Sequence, residues 1–558
     1  MQYAKIIVDA TLSGKKDLTY SIPAKLLLDI EVGKVVEVPL MNKKVHGVVS
    51  GLTKFKPFIG SALPIIKFLS QKPVLSPVHI EFYDFIAKQY LCDLSDVVFS
   101  FLPPILKKIP VNKSLVNIRR WKGDIRFVSG HLEDRFRRYK KLINSYSGTL
   151  IFIFPDYIVL NNFSLCLKDV DHSIYTGNLN TTDRWNIWER AHLVKIVILS
   201  TRIGIGLLPN SKYIIVVDDP DHPGFKENQK PKYQISELLS THLEYGSNIV
   251  VGLSCPTLKY KYLHNYSPIT SATNKTIYSG SDLLPDNLVD RLSSYNRILI
   301  GMPHKNAFGL LMCKNCTQIL RCNECHNPIV QEDQNKTVCV SCKKKLYGFP
   351  PCENCHYNSY IGYKFGTNTV EKQISKMLPN RNILRLDNNQ DEISTAKLRS
   401  AEIIIATSKI FDYPVTKFDL SICIGFDDIV DAPFYNQEES CAALIAKFFI
   451  LGNENVLISN RNNHRVMQAI THNKIPLLWT QLLKERFPDY PPYSRLVDIE
   501  FTNKPTENQF QILKHLGSQM IVTPDKKISI FVDRRKWLKL IDAKKHFPSN
   551  WRYNPDPG

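Results

Sequence analysis

Four Cys-x-x-Cys pairs follow one another in this chain: Cys313/Cys316, Cys322/Cys325, Cys339/Cys342 and Cys352/Cys355. Two thiolates separated by two residues wrap one side of a tetrahedral ion, and two such knuckles close its shell. Eight thiolates therefore match two structural Zn2+ sites, with no coordination position left open for catalysis. Disulfides, iron–sulfur ligation and redox dithiols are the competing chemistries. All eight residues crowd between Cys313 and Cys355, while the other five of the 13 cysteines are scattered. That crowding, without a companion thioredoxin pattern, favours metal. Lys314, Arg321 and the lysines at 343–345 help hold the thiols ionised. Spacing alone leaves open whether the first knuckle pairs with the second or with the fourth.

The second chemistry to look for is phosphate recognition. Lysine and arginine number 72 against 52 acidic residues, a net charge of +20. Such an excess suits a polyanion, because each phosphate neutralised releases condensed counterions; a general basic bias is the bland alternative. Arg119, Arg120, Trp121 and Lys122, the stretch 135–141 and the stretch 526–537 mix cations with aromatic rings. That mixture follows a phosphate backbone while stacking bases, although any one such run is as readily a solvated face. Trp537 and Trp551 can equally be core residues. Nucleoside triphosphate binding asks for more: a glycine-rich loop before a helix, with a lysine and a hydroxyl for magnesium. No GxxxxGK[ST] occurs in the chain.

The elements that must position these groups fall into blocks. At 558 residues the chain exceeds what one core supports. Residues 3–8, 33–40 and 45–50 read as strands, and 77–100 as helical, with apolar positions from Ile80 to Leu94 at helical spacing. Residues 107–122 read as a basic linker. Short apolar runs at 149–154, 194–199, 213–217 and 248–253 suit a parallel sheet. A second set follows at 297–300, 382–386, 402–406, 420–425 and 455–459. Two such blocks in series predict a doubled α/β core, with the cysteines inserted in the second. A tail from about 475 reads as a separate α+β domain. No apolar run is long enough to span a membrane, and 1–11 lacks the layout of a signal peptide, so a cytoplasmic protein is expected.

These features together resemble the bacterial replication-restart helicase family, primosomal protein N′ or PriA. Leu18-Thr19-Tyr20-Ser21-Ile22-Pro23 and Val36-Glu37-Val38-Pro39-Leu40 resemble its domain for the 3′ end of a nascent strand. Pro155-Asp156, Arg184 with Trp188, and Thr201-Arg202 fall where first-lobe motifs belong. Asp218-Asp219-Pro220-Asp221 stands in the place of a DEEH box, and Ser254-Cys255-Pro256 in that of Ser-Ala-Thr-Pro. Gly366-Thr367, Leu384-Arg385-Leu386-Asp387 and Ala406-Thr407-Ser408 follow the second lobe, and Arg486, Pro491-Pro492-Tyr493 and Asp556-Pro557 the C-terminal domain. The resemblance implies nested pairing: Cys313, Cys316, Cys352 and Cys355 on one zinc; Cys322, Cys325, Cys339 and Cys342 on the other.

Collinearity with the family also exposes losses. Where the phosphate loop belongs stands Val128-Ser129-Gly130-His131-Leu132-Glu133-Asp134-Arg135, with two acids that would repel phosphates. The place of the arginine-finger run is held by Ala446-Lys447-Phe448-Phe449-Ile450-Leu451-Gly452-Asn453, which has no arginine. Asp218 and Asp219 remain as a residual acidic box. The family's winged-helix domain has no room between Leu106 and Val128.

The expected layout is thus a 3′-end DNA-binding-like domain (1–108), a linker (109–124), a degenerate RecA-like first lobe (125–290) and a second (291–312 and 356–474). The zinc module (313–355) and a C-terminal α+β domain (475–558) complete it. The expected DNA-binding residues are Thr19, Tyr20, Arg135, Arg137, Arg138 and Lys140, with Tyr20 read alternatively as core. The resemblance implies a monomeric DNA-binding protein of replication restart, engaging forks, single strands and 3′ ends. It would recruit partners such as single-strand-binding protein and primosome components, without ATP, Mg2+ or unwinding. The alternatives are an active 3′–5′ helicase with an unconventional nucleotide site, and a zinc-dependent protein-docking scaffold.

Overall fold

The computed structural model describes residues 3–10, 17–55, 60–111, 123–266, 274–279, 284–303, 311–316, 318–323, 329–333, 336–339, 344–362, 366–387, 393–430, 434–501, 503–523, 526–548 and 550–557. The chain forms two compact units, one of residues 1–128, 136–253 and 493–558, the other of residues 129–135 and 254–492.

The first unit opens with β1 (Tyr3–Val8), β2 (Leu18–Ser21), β3 (Val35–Leu40), β4 (Lys43–Thr53) and β5 (Lys67–Phe68), an antiparallel sheet in the order β2-β1-β4-β3-β5. Alternation sends Ala4, Ile6 and Val8 into one core with Val36, Val38 and Val49. The helix expected over 77–100 is two helices, α1 (Pro77–Gln89) and α2 (Leu94–Phe101). Leu91, at φ 53°, turns the chain between them, and Asp93 starts the second with its amide on Asp96 Oδ2 at 3.1 Å. A fresh capping signal overrode unbroken apolar spacing.

The first lobe follows with β6 (Ile125–Ser129), α3 (Leu132–Ser145), β7 (Thr149–Ile153), β8 (Ser173–Tyr175), β9 (Val197–Ser200), β10 (Tyr213–Asp218) and β11 (Asn248–Leu253). Their order is β6-β11-β10-β7-β9-β8, and β11, β10, β7, β9 and β8 run parallel. Every residue of β7 is buried, as a strand covered on both faces requires.

α1 and α2 pack directly on this lobe. Tyr83 Oη donates to the Gly206 carbonyl at 2.9 Å, Trp185 Nε1 to that of Pro104 at 2.9 Å, and Trp188 Nε1 to that of Val74 at 3.3 Å. A Cβ on Gly206 would stand 2.5 Å from the Phe101 ring, so only glycine permits the approach. In the same seam His79 Nε2 lies 3.0 Å from His192 Nε2. His192 Nδ1 donates to the Trp188 carbonyl at 2.7 Å and His79 Nδ1 faces Ser76 Oγ at 2.8 Å, so both rings are satisfied as neutral tautomers.

In the second unit β12 (Asn274–Tyr278) and β13 (Ile298–Gly301) precede the cysteine module. That module holds an antiparallel pair, β14 (Leu311–Cys313) with β18 (Tyr360–Gly362), and the three-stranded sheet β15 (Ile329–Asp333), β16 (Lys336–Cys339) and β17 (Lys345–Tyr347). The lobe then continues through β19 (Ile383–Leu386), β20 (Ile403–Ala406), β21 (Phe418–Cys423) and β22 (Gly452–Ile458). Its sheet is parallel throughout, in the order β12-β22-β21-β13-β20-β19.

Two expected boundaries move. β12 and the helix Asp286–Leu292, whose Leu288 and Leu292 join the second lobe's core, place that lobe's start before residue 274 rather than at 291. The helix Ile475–Arg486 also belongs to this unit, with Trp479 Nε1 donating to the Pro256 carbonyl at 3.0 Å, so the tail domain starts near 493 and not 475. That domain completes the first unit with β23 (Ser494–Glu500), β24 (Gly517–Thr523), β25 (Lys527–Asp533) and β26 (Arg552–Pro555), antiparallel in the order β24-β25-β23-β26. Arg495, buried between Asp556 Oδ2 at 2.5 Å and Gln89 Oε1 at 3.0 Å, ties the tail to α1. Among the described residues no helix is long and apolar enough to cross a membrane.

Candidate metal centre and nucleic-acid surfaces

Two tight turns build the cysteine cluster. The Cys313 amide reaches the Gln318 carbonyl at 2.9 Å, and the His356 amide that of Cys352 at 2.8 Å, each folding a Cys-x-x-Cys segment back on itself. The β14–β18 pair, with Cys313 opposite Tyr360, holds the turns side by side. Cys313 Sγ and Cys355 Sγ stand 3.5 Å apart, as do Cys316 Sγ and Cys352 Sγ, and all four sulfurs lie within 4.8 Å of one another. A tetrahedral ion bonded to four sulfurs at about 2.3 Å sets sulfur–sulfur edges of about 3.8 Å. A disulfide needs about 2.0 Å. The donor set fits a zinc-like ion. The Gln318 backbone amide, with the Asn354 side chain, draws the Cys316 thiol down, while the neighbouring Cys316 and Cys313 sulfurs push Cys355 up.

The structure thus brings together the first and fourth knuckles. Cys322 and Cys339 are buried in one apolar cluster with Leu311, Leu320 and Ile329. Cys325 and Cys342, the other half of the second expected set, lie outside the described residues.

At the collinear position of the phosphate loop, only Gly130 and His131 separate β6 from α3. Gly130 adopts φ 136°, which favours glycine. Arg135 Nη1 donates to the Gly130 carbonyl at 2.8 Å and to Ser254 Oγ at 2.5 Å, closing the turn from the helix side. His131 Nδ1 lies 2.5 Å from Asp134 Oδ2; burial holds its pKa below the ordinary value although Asp134 and Glu133 pull it up. In the first unit, Asp218 ends β10 and accepts a 2.6 Å hydrogen bond from Tyr139 Oη of α3, both residues being buried. Asp219, also buried, sits at φ 49° with its amide on the Gly252 carbonyl at 2.8 Å.

Two of the expected DNA contacts are buried. Tyr20 lies in the core of the N-terminal sheet, its hydroxyl donating to the Pro39 carbonyl at 3.0 Å, so its ring offers no stacking face. Arg135 is buried by the turn it closes. Both sit on faces that alternation or helical spacing turns inward. Thr19 is half-buried on β2, opposite Lys5. Arg137, Arg138, Lys140 and Lys141 are exposed along α3. Residues 119–122 lie outside the described residues. In 526–537, Arg534 pairs with Glu237 at 2.8 Å and Arg535 with Asp533 at 2.6 Å, while Trp537 is core. Residues 446–450 finish the helix Gln437–Ile450, where Phe448 and Phe449 are buried.

Sequence reading missed a cleft of about 350 Å³ where α1, the first lobe and the tail domain meet, lined by Gln89, Tyr90, Glu237, Arg495, Arg534 and Trp537 among others. In the sequence Arg534 stood only within the basic stretch 526–537, and Arg495 carried no signal of its own.

Comparison with known proteins adds four findings. Residues 5–103 match the PriA family described as "3'DNA-binding domain (3'BD)". The Replication restart protein PriA of Helicobacter pylori strain 26695 is 23% identical over 534 residues, covering 86% of this chain and 84% of that protein. That of Thermotoga maritima is 20% identical over 482 residues, covering 73% of this chain and 64% of that protein. Among solved structures, the Mycobacterium smegmatis helicase Lhr bound to ssDNA and AMP-PNP aligns over 75% of this chain and 57% of its own at 10% identity, with a TM-score of 0.32.

Proposed function

We propose that this chain, a PriA-like replication restart protein, binds forked or 3′-ended DNA and recruits restart partners without hydrolysing ATP or unwinding the duplex. Similarity to the 3′ DNA-binding domain and to PriA over most of the chain supports the DNA half of this reading.

The observation that carries the other half is the closed turn at Gly130. In a working nucleotide site the loop amides, a lysine and a strand-end carboxylate converge on phosphate and magnesium. Here Arg135 occupies the loop carbonyl and Tyr139 the Asp218 carboxylate, both as packing contacts. Electrostatic stabilisation of phosphoryl transfer needs donors aimed at the transferring group.

Thr19 and the exposed cations of α3 are the proposed DNA contacts. Cys313, Cys316, Cys352 and Cys355 would hold one zinc, and Cys322, Cys325, Cys339 and Cys342 a second, each stabilising a fold too small to build its own core. The test is one protein preparation carried through two assays. DNA-stimulated ATP turnover should not exceed that of an Asp218→Ala control, and fork binding should weaken steeply with salt. Turnover above the control, or salt-insensitive binding, rejects the reading.

A further inference from the structure

The tail sheet ends on β24, whose outer edge pairs with no other strand among the described residues. Edge strands in folded proteins are ordinarily blunted by charge, proline or a bulge, because a bare ladder recruits other chains. β24 has seven residues, Gly517-Ser518-Gln519-Met520-Ile521-Val522-Thr523, with neither charge nor proline. Its one register shift falls between Gly517 and Gln519, leaving the stretch from Met520 to Thr523 regular.

Two apolar side chains of that regular stretch are uncovered. Ile521 and Val522 are 54% and 50% exposed, whereas Ile528, the ladder partner of Val522, is fully buried. The core that covers β25 reaches Met520 on β24 but leaves Val522, two residues on, half exposed. Ile521 and Val522 point to opposite faces of the sheet, so both sides of the edge present an apolar step.

We propose that β24 is a docking edge for an extended, acid-flanked segment of another protein, which adds to the tail sheet as a fifth strand. The ladder supplies main-chain hydrogen bonds, and Ile521 and Val522 read alternate side chains of the incoming strand. Charge selects the flanks. Lys514, in the last turn before Gly517, and Lys536, whose Nζ donates to the His515 carbonyl at 3.2 Å, lie at one end. Lys526 lies at the turn after Thr523. A second copy would set these lysines against their own kind, on a chain of net charge +20. A strand without cations offers nothing to a phosphate backbone.

The experiment uses the full chain and a fluorescent peptide of alternating valine and threonine with two glutamates at each end. Anisotropy should report binding, and hydrogen exchange should slow across residues 517–523. Ile521→Glu, placed on an exposed position and checked by thermal melt, should weaken binding at least tenfold while fork binding stays unchanged. Lys514→Glu with Lys526→Glu should weaken it without altering the edge. Wild-type protein that fails to bind, or an Ile521→Glu variant that binds as well, overturns the proposal. So does concentration-dependent self-association that Ile521→Glu abolishes, which would assign the edge to a second copy. Retained fork binding separates failure here from failure of the DNA reading.

Discussion

Tyr139 Oη donates to Asp218 Oδ1 at 2.6 Å, so the carboxylate that ends the central strand β10 is held by the helix next to it in the buried interior of the lobe. On the proposed function, the helix collinear with the one after a phosphate loop and the acid collinear with a magnesium ligand serve as each other's partners.

Tyr139→Phe should therefore act as a stability mutation. Removing one hydrogen bond to a buried carboxylate costs about 1.5–3 kcal/mol. Urea unfolding should show that loss, and ATP turnover should be the same before and after.

Metal content is the second check. Two equivalents of zinc are expected per chain. Cys352→Ser should lower this to one, because the variant breaks the set whose four sulfurs lie within 4.8 Å. A chelator should remove the rest and unfold the module, read as loss of tryptic resistance across 313–355.

DNA affinity should rest on α3's outer face. Replacing Arg137, Arg138 and Lys140 together by alanine should flatten the salt dependence of fork binding by up to about 2.7 in log–log slope, near 0.9 for each phosphate left without its cation. Arg135→Ala should leave that slope unchanged and lower stability, since its guanidinium closes the Gly130 turn.

The histidine seam predicts a pH effect. Burial pushes His192 down to about 4 and His79 well below its usual value, with the neighbouring ring adding to the push on His79. Both folded values lie below the unfolded value of about 6.5. The unfolded chain therefore binds protons first: stability is full above that pH and falls as pH drops toward 4. His192→Gln should remove on the order of 3 kcal/mol of that pH dependence, measured as the difference between urea midpoints at neutral and acid pH.

The strands that sequence reading found are those with long apolar runs, such as β7, β10 and β11, covered on both faces. Within the two α/β lobes those it missed, β6, β8 and β12, are edge strands, where one side is open and polar residues such as Arg126, Ser173 and Lys275 are tolerated. The boundary at 291 failed for the same reason: β12 carries no continuous apolar signal. The cysteine spacing made a metal module readable, because ligand geometry is local. Spacing left the partner of each knuckle open, since that depends on β14 meeting β18 across a long insertion. Tyr20 and Arg135 carried the right chemistry for DNA, and only burial shows where each points.

Tyr83, Trp185, Trp188 and the two histidines fasten α1 and the segments that flank α1 and α2 to the lobe through a buried seam. If the proposed function holds, a domain so fastened would not search for a strand terminus by swinging on a tether. It would work as a fixed gauge: a junction whose arms match the spacing built into the protein would be seated in one step, and one that does not match released.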